Sequence, residues 1–169
     1  SGGLPEFVNL RGEETKRHYV EAVKDTILLK DIVERHKIKD AALLDRIFAY
    51  LVNNSASLVS VTNVVNYLNN EQSKKDGKAK KQNYETVSNY INFLEDAFVI
   101  LRADRYDVKG KEILKGAAKY YANDNSYHNY LYEGYDYGQG ALLENYVYKA
   151  LRRAGLQIYA GKMANREVD

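Results

Sequence analysis

The chain contains no cysteine, which excludes a disulfide framework, a thiolate zinc site, an iron–sulfur cluster and thiol catalysis. It also has no tryptophan, one methionine and one proline, Pro5. So little proline argues against many short strands joined by tight turns, and helix is expected to dominate. The three histidines, His18, His36 and His128, share no ligand spacing. No apolar run approaches the roughly 20 residues of a membrane helix, and the start lacks the basic, apolar, small-residue order of a signal peptide. No membrane partner is expected, and the cytoplasm is the expected location. Charge of one sign is lacking too: 25 Lys and Arg stand against 23 Asp and Glu, a net of +2. That is too near neutral for a protein that coats nucleic acid, so any such contact must be local.

What is present fits an ordinary soluble globular chain. The 169 residues, 45% apolar and 28% charged, suit one medium domain or two small ones. From Glu13 to Ile38, Tyr19, Val20, Val23, Ile27, Leu28, Ile32 and Val33 recur at helical spacing. This segment is read as an amphipathic helix or a broken pair that needs a partner surface, either the rest of the chain or a second copy. Asp40 is a good N-cap for a helix with Leu43, Leu44, Ile47, Phe48 and Leu51 on one side, ending at Asn53-Asn54. Ser60 can cap a third helix through Val61, Val64, Val65 and Leu68, stopping at Asn69-Asn70. Residues 71 to 82 hold Lys74, Lys75, Lys78, Lys80 and Lys81 and almost nothing apolar. A fourth helix from Asn83 puts Tyr84, Val87, Tyr90, Ile91 and Leu94 on one side and Glu85, Thr86, Ser88, Asn89 and Asn92 on the other.

Phe98 to Leu101 and Lys119 to Ala122 are β-prone runs separated by a Lys- and Gly-containing stretch, as in a hairpin with a long tip. Helix, helix, helix, hairpin is winged-helix order. Residues 123 to 140 have no period and read as a linker or irregular loop, with a boundary near Asn125. Leu142, Leu143, Tyr146, Val147, Ala150, Leu151 and Ala154 then form a helical stripe closed by Arg152-Arg153 and Gly155. Strands are expected at Leu156 to Ala160 and Glu167 to Asp169. The sequence starts without methionine and stops in the alternating Arg166 to Asp169, so a fragment is expected.

Five separated motifs resemble the C-terminal half of a large group of bacterial and archaeal ATPases of the AAA+ superfamily. Gly2-Gly3-Leu4-Pro5-Glu6 is similar to the end of that group's ATPase module, and Asp25 to Arg35 (DTILLKDIVER) to its lid-region helix. Thr86 to Glu95 (TVSNYINFLE) resembles its winged-helix signature. Gly140 to Asn145 (GALLEN) and Arg166 to Asp169 (REVD) are similar to motifs opening its last domain, which resembles the PD-(D/E)XK nuclease fold. The resemblance covers nearly the whole chain in order. It departs in two places: the Gly-rich phosphate loop with its Lys-Ser/Thr and the metal-binding acidic strand are absent from these residues, and the Glu-X-Lys strand expected beyond Asp169 is not among them.

The fold implied is mainly α with a small β component. It comprises the end of an ATPase module and its lid helices (residues 1–38), a winged-helix domain (39–125) and a linker with the truncated start of a nuclease-like domain (126–169). Lys74, Lys75, Lys78, Lys80 and Lys81 are candidates to neutralise phosphates, with Ser88, Asn89 and Asn92 nearest to base edges. The plainer alternative is a solvated loop beside a solvated helix face, and no arginine lies on that face. The resemblance implies that Glu144 and Asp169 hold Mg²⁺; the plainer alternative pairs Glu144 with Lys149, Arg152 or Lys162. Eight of the sixteen tyrosines, Tyr106 to Tyr137, are read as junction packing before base stacking, and Arg102 and Arg105 as wing-strand residues within reach of phosphate. For the parent, the resemblance implies an ATPase with Mg-ATP as cofactor. For this chain the expectation is no cofactor and no activity of its own, with the parent's ATPase module, duplex DNA and a second copy as candidate partners. The alternative is a stand-alone winged-helix transcriptional regulator.

Overall fold

The computed structural model of the protein describes residues 4–75, 81–132, 138–163 and 166–168. The fold is mainly α with a small β component. A 3₁₀ turn, Pro5–Asn9, leads into a helical segment made of α1 (Glu13–Asp25), a widened π-type stretch (Thr26–Ile32) and α2 (Val33–His36). Lys37 ends it in the left-handed conformation at φ 51°, with the Ile38 N–H donating to the Val33 carbonyl at 3.0 Å. Val20, Leu28 and Ile32 are buried, as the helical spacing requires. The surface they cover is the protein's own: the Lys24 ammonium meets Asp45 at 2.8 Å, and His36 stacks on Phe93 with ring centroids 3.8 Å apart.

The next elements follow the caps. Asp40 accepts from the Leu43 N–H at 2.9 Å and starts α3 (Ala41–Asn53), which buries Leu43, Leu44, Ile47, Phe48, Leu51 and Val52. After β1 (Leu58–Ser60), Ser60 Oγ accepts from the Asn63 N–H at 3.2 Å at the start of α4 (Val61–Lys75). Asn83 accepts from the Thr86 N–H at 2.8 Å and caps α5 (Tyr84–Asp96), whose Val87, Ile91 and Leu94 are buried. β2 (Ile100–Asp107) and β3 (Glu112–Ala122) form the hairpin, and β3 also pairs antiparallel with β1. Three helices, a short strand between the first and second, and a two-stranded wing returning onto that strand make a winged helix.

Beyond it lie α6 (Ser126–Leu131), α7 (Gly138–Arg153), β4 (Ala160–Met163) and β5 (Arg166–Val168). β4 runs parallel to β2 and β5 antiparallel to β4, so one mixed sheet has the order β1-β3-β2-β4-β5. A strand downstream of Asn125 is therefore hydrogen-bonded to one upstream of it. Among the described residues no helix is long and apolar enough to cross a membrane.

Several local expectations are corrected. α4 passes Asn69-Asn70 and runs to Lys75. Asn69 does not end the helix because its side chain is used at long range: Nδ2 donates to the Gln82 carbonyl at 3.2 Å, and Oδ1 accepts from the Gln82 N–H at 2.7 Å. Phe98 is an exposed turn residue at φ 55°, and the strands reach much further toward the tip, to Asp107 and Glu112. Cross-strand pairing outweighs propensity there, and an irregularity between Asp104 and Arg105 faces Gly116 at φ 103°. The aperiodic stretch after Asn123 contains α6, with Ser126, Tyr127 and His128 buried. Tyr127 sets its ring edge-on to Phe48 at 5.1 Å and Tyr130 to Phe7 at 5.0 Å. The fourth strand begins at Ala160 and does not include Leu156 to Tyr159. The apolar stripe of α7 points largely outward, with Leu143, Tyr146, Val147 and Leu151 exposed, while Asn145 and Tyr148 are the buried positions.

Candidate functional site

Two places carry the side chains singled out by sequence. The first is α5. Val87, Ile91 and Leu94 turn inward, and Glu85, Asn89 and Asn92, at the same i, i+4, i+7 spacing, are exposed, with Ser88 half-buried beside them. The two Gln82–Asn69 hydrogen bonds fix the chain entering α5 against α4, and Lys81, just before it, is exposed. The structure thus sets Lys81 at the mouth of the helix whose outer side carries Asn89 and Asn92. Lys74 and Lys75 end α4, but their side chains, like all of Lys78 and Lys80, lie outside the described residues. α5 itself carries Glu85, Glu95 and Asp96 and no Lys or Arg, so positive charge must reach any anion there from the flanks.

One flank was not singled out by sequence. The wing tip, Val108 to Lys111, is exposed throughout and presents Lys109 and Lys111, with Lys115 exposed on β3. Asp107 accepts from the Lys109 N–H at 3.0 Å, and Lys111 takes the left-handed conformation at φ 53°. The signal was the Lys-Gly-Lys order of 109 to 111, which marks a hairpin tip as readily as a phosphate contact. Of the two wing arginines, Arg102 is engaged within the protein: its Nε donates to Asp104 at 2.8 Å.

The second place is Glu144. Its Oε1 takes the Lys119 ammonium at 3.0 Å and accepts from the Tyr121 hydroxyl at 2.7 Å. Lys119 is only 4% exposed, so it is desolvated and its charge is balanced by a carboxylate 25 residues away on α7. The described partner of Glu144 is thus Lys119, whereas Lys149 reaches the Asn123 carbonyl and Asn125 Oδ1, at 3.3 and 2.9 Å, and the side chain of Lys162 lies outside the described residues. Tyr121 and Tyr148 stack with centroids 3.9 Å apart, and the Tyr148 hydroxyl donates to the Arg102 carbonyl at 2.7 Å. Burial raises the Tyr148 hydroxyl above its usual pKa and lowers Lys149 below its own. The Asn145 amide completes the fastening of α7, donating to the Ala122 carbonyl at 3.2 Å and Asn125 Oδ1 at 2.7 Å.

Asp169, the other metal ligand implied by the resemblance, lies outside the described residues. Among the described residues no three His, Asp or Glu side chains come together to hold a metal ion. Glu144, already shared by an ammonium and a phenol, does not by itself make a divalent-ion site. What the arrangement does is fix α7 on the back of the wing. Glu144→Leu is expected to lower stability by about 2 kcal/mol, the order of a charge-assisted hydrogen-bond pair. Urea unfolding measures it, and a loss under 0.5 kcal/mol on the order of a solvated pair would mean that the contact is incidental.

A winged helix extended by two helices and two strands on a shared mixed sheet, with an exposed polar side on α5, defines the class. The chain belongs to the family described as Domain of unknown function (DUF8612), which matches residues 1–136. It is 32% identical over 168 residues to a protein of Haemophilus influenzae described as "Uncharacterized protein", covering 99% of this chain and 40% of that one. It is 28% identical over 172 residues to "Uncharacterized protein MJ1544" of Methanocaldococcus jannaschii, covering 99% of this chain and 36% of that one. The chain thus spans about two fifths of the length of these relatives. No solved structure matches it.

Proposed function

We propose that the chain is the C-terminal region of a longer AAA+ superfamily ATPase, in the cytoplasm, and acts there as a winged-helix interaction module whose α5 face meets duplex DNA. The observation that carries this reading is the open side of α5: in a winged helix whose apolar core is complete, Asn89 and Asn92 remain turned to solvent, with Lys81 at the helix mouth and Lys109 and Lys111 at the wing tip. Two further facts support it. The five motifs occur in the family's order, and more than half of each relative lies outside the matched region, room enough for a nucleotide-binding module. The chain itself has no Gly-rich phosphate loop, so Mg-ATP belongs to the rest of the parent.

In this reading the lysines neutralise phosphates and the amides read base edges, which gives the two groups different signatures. If Lys74, Lys75, Lys78, Lys80 and Lys81 each cover one phosphate, log K against log salt has a slope of about −4.5. Changing all five to alanine is expected to flatten that slope. Asn89→Ala with Asn92→Ala is expected to leave it nearly intact and to reduce sequence preference instead. Fluorescence anisotropy at several salt concentrations reads both. No binding of duplex DNA at 50 mM salt and micromolar protein, with the fold intact, rejects DNA as the partner of this face and leaves the parent's own domains.

A further inference from the structure

We propose that Glu95, Arg102 and Asp104 form a proton-operated latch between the last turn of α5 and the wing. Arg102 and Asp104 are two residues apart on β2, hence on one face of the sheet. The Arg102 Nε–H donates to Asp104 Oδ1 at 2.8 Å. Glu95 approaches the same guanidinium from α5, its Oε1 3.9 Å from Arg102 Nη1. That distance is within ion-pair range but too long for a hydrogen bond, and this buried oxygen has no hydrogen-bond partner. Two carboxylates therefore compete for one cation, and the geometry gives it to Asp104.

The other groups around Glu95 do not relieve the competition. Asp96 adjoins it on α5 and adds to the negative charge. β3 contributes Tyr120, the register partner of Arg102, buried and pushed up to about 12 by that burial, so it stays neutral. α7 contributes Tyr148, whose hydroxyl is spent on the Arg102 carbonyl. Burial, opposed by Arg102 and reinforced by the charges of Asp104 and Asp96, pushes the Glu95 carboxyl up to about 7. With a proton on Glu95, a neutral carboxyl sits in the junction and Arg102 belongs wholly to Asp104. Without it, a poorly paired charge is left between α5 and β2, and the folded arrangement resists that charge. The latch is thus closed when protonated and loosened near pH 8, at the point that sets the α5 face relative to the wing. It holds whatever that face binds.

The test is a carboxyl carbon-13 NMR titration of the full chain, with amide exchange of β2 followed in parallel. The Glu95 carbon is expected to titrate with a midpoint near 7. Asp104→Asn, a change at a side chain 40% exposed, is expected to lower that midpoint, because the competing charge is gone and Arg102 is freed for Glu95. Protection factors at the start of β2, corrected for intrinsic exchange, are expected to fall about tenfold between pH 6 and 8, the equivalent of one pKa unit. In Glu95→Gln they should be level. A midpoint below 5.5, a midpoint unmoved by Asp104→Asn, or the same fall in protection in Glu95→Gln would each overturn the latch.

Discussion

Glu95→Gln and an asparagine at His128 are expected to tilt the pH dependence of stability in opposite directions. His128 is buried in α6, and burial, followed by the Lys149 charge, lowers it from 6.5 to about 4. Its neutral form is the one that folds, so its contribution is complete above pH 6.5 and is lost as pH falls through about 4. At about 1.4 kcal/mol for each tenfold, that displacement amounts to about 3 kcal/mol. Glu95 runs the other way. Its folded value of about 7 lies above the ordinary 4.5, so its contribution is complete below 4.5 and is lost as pH rises through 7. Because its side chain is 24% exposed, solvent screening trims the effect to about 2 kcal/mol. In the unaltered protein the two largely offset each other between pH 4.5 and 6.5. Urea unfolding across that window should therefore show stability rising with pH in Glu95→Gln and falling in His128→Asn. Parallel profiles for both variants and the parent protein would refute the assignment.

The largest single loss is expected from Phe48→Ala. Phe48 is fully buried in α3 and faces Tyr127 of α6 edge-on, with Tyr132 at 6.4 Å. Its truncation removes a large apolar surface and leaves a cavity between two helices that cannot both move in, at a cost of about 3–5 kcal/mol. Calorimetry should show a melting temperature lower by about 10 °C for a chain of this size. The same substitution at Phe98, which is 67% exposed in its turn, is expected to change it by less than about 2 °C, since a surface substitution of this kind stays within about 0.5 kcal/mol. Equal effects at the two phenylalanines would mean that α6 does not pack on α3 as described.

The contrast between those phenylalanines marks how far the sequence can be read. α3 and α5 were legible to their caps, because Asp40 and Asn83 act within three residues and each helix buries one continuous stripe. The winged-helix order followed from those local signals. The extent of α4 did not, because Asn69 looks like a terminator until Gln82 is brought to it. α7 misleads for a related reason: its apolar stripe is real, but the side that packs on the wing is held by Glu144, Asn145 and Tyr148 through polar bonds to β3, its following loop and β2. No periodicity announces partners more than twenty residues away. On the candidate site, Lys81, Asn89 and Asn92 were found by type and spacing. The wing-tip Lys109 and Lys111 needed the true length of the hairpin, which cross-strand pairing decides and propensity does not.

The most direct test of the account asks where the nucleotide goes. Isothermal titration of Mg-ATP should be run in parallel on this chain and on the full-length Haemophilus influenzae relative, of which the chain covers 40%. The account predicts saturable binding by the relative and a flat titration for the folded 169-residue chain, since nothing in it can wrap a triphosphate with backbone N–H groups and supply the lysine and the Mg²⁺ hydroxyl. Binding by the chain alone, or no binding by the full-length relative, would contradict it.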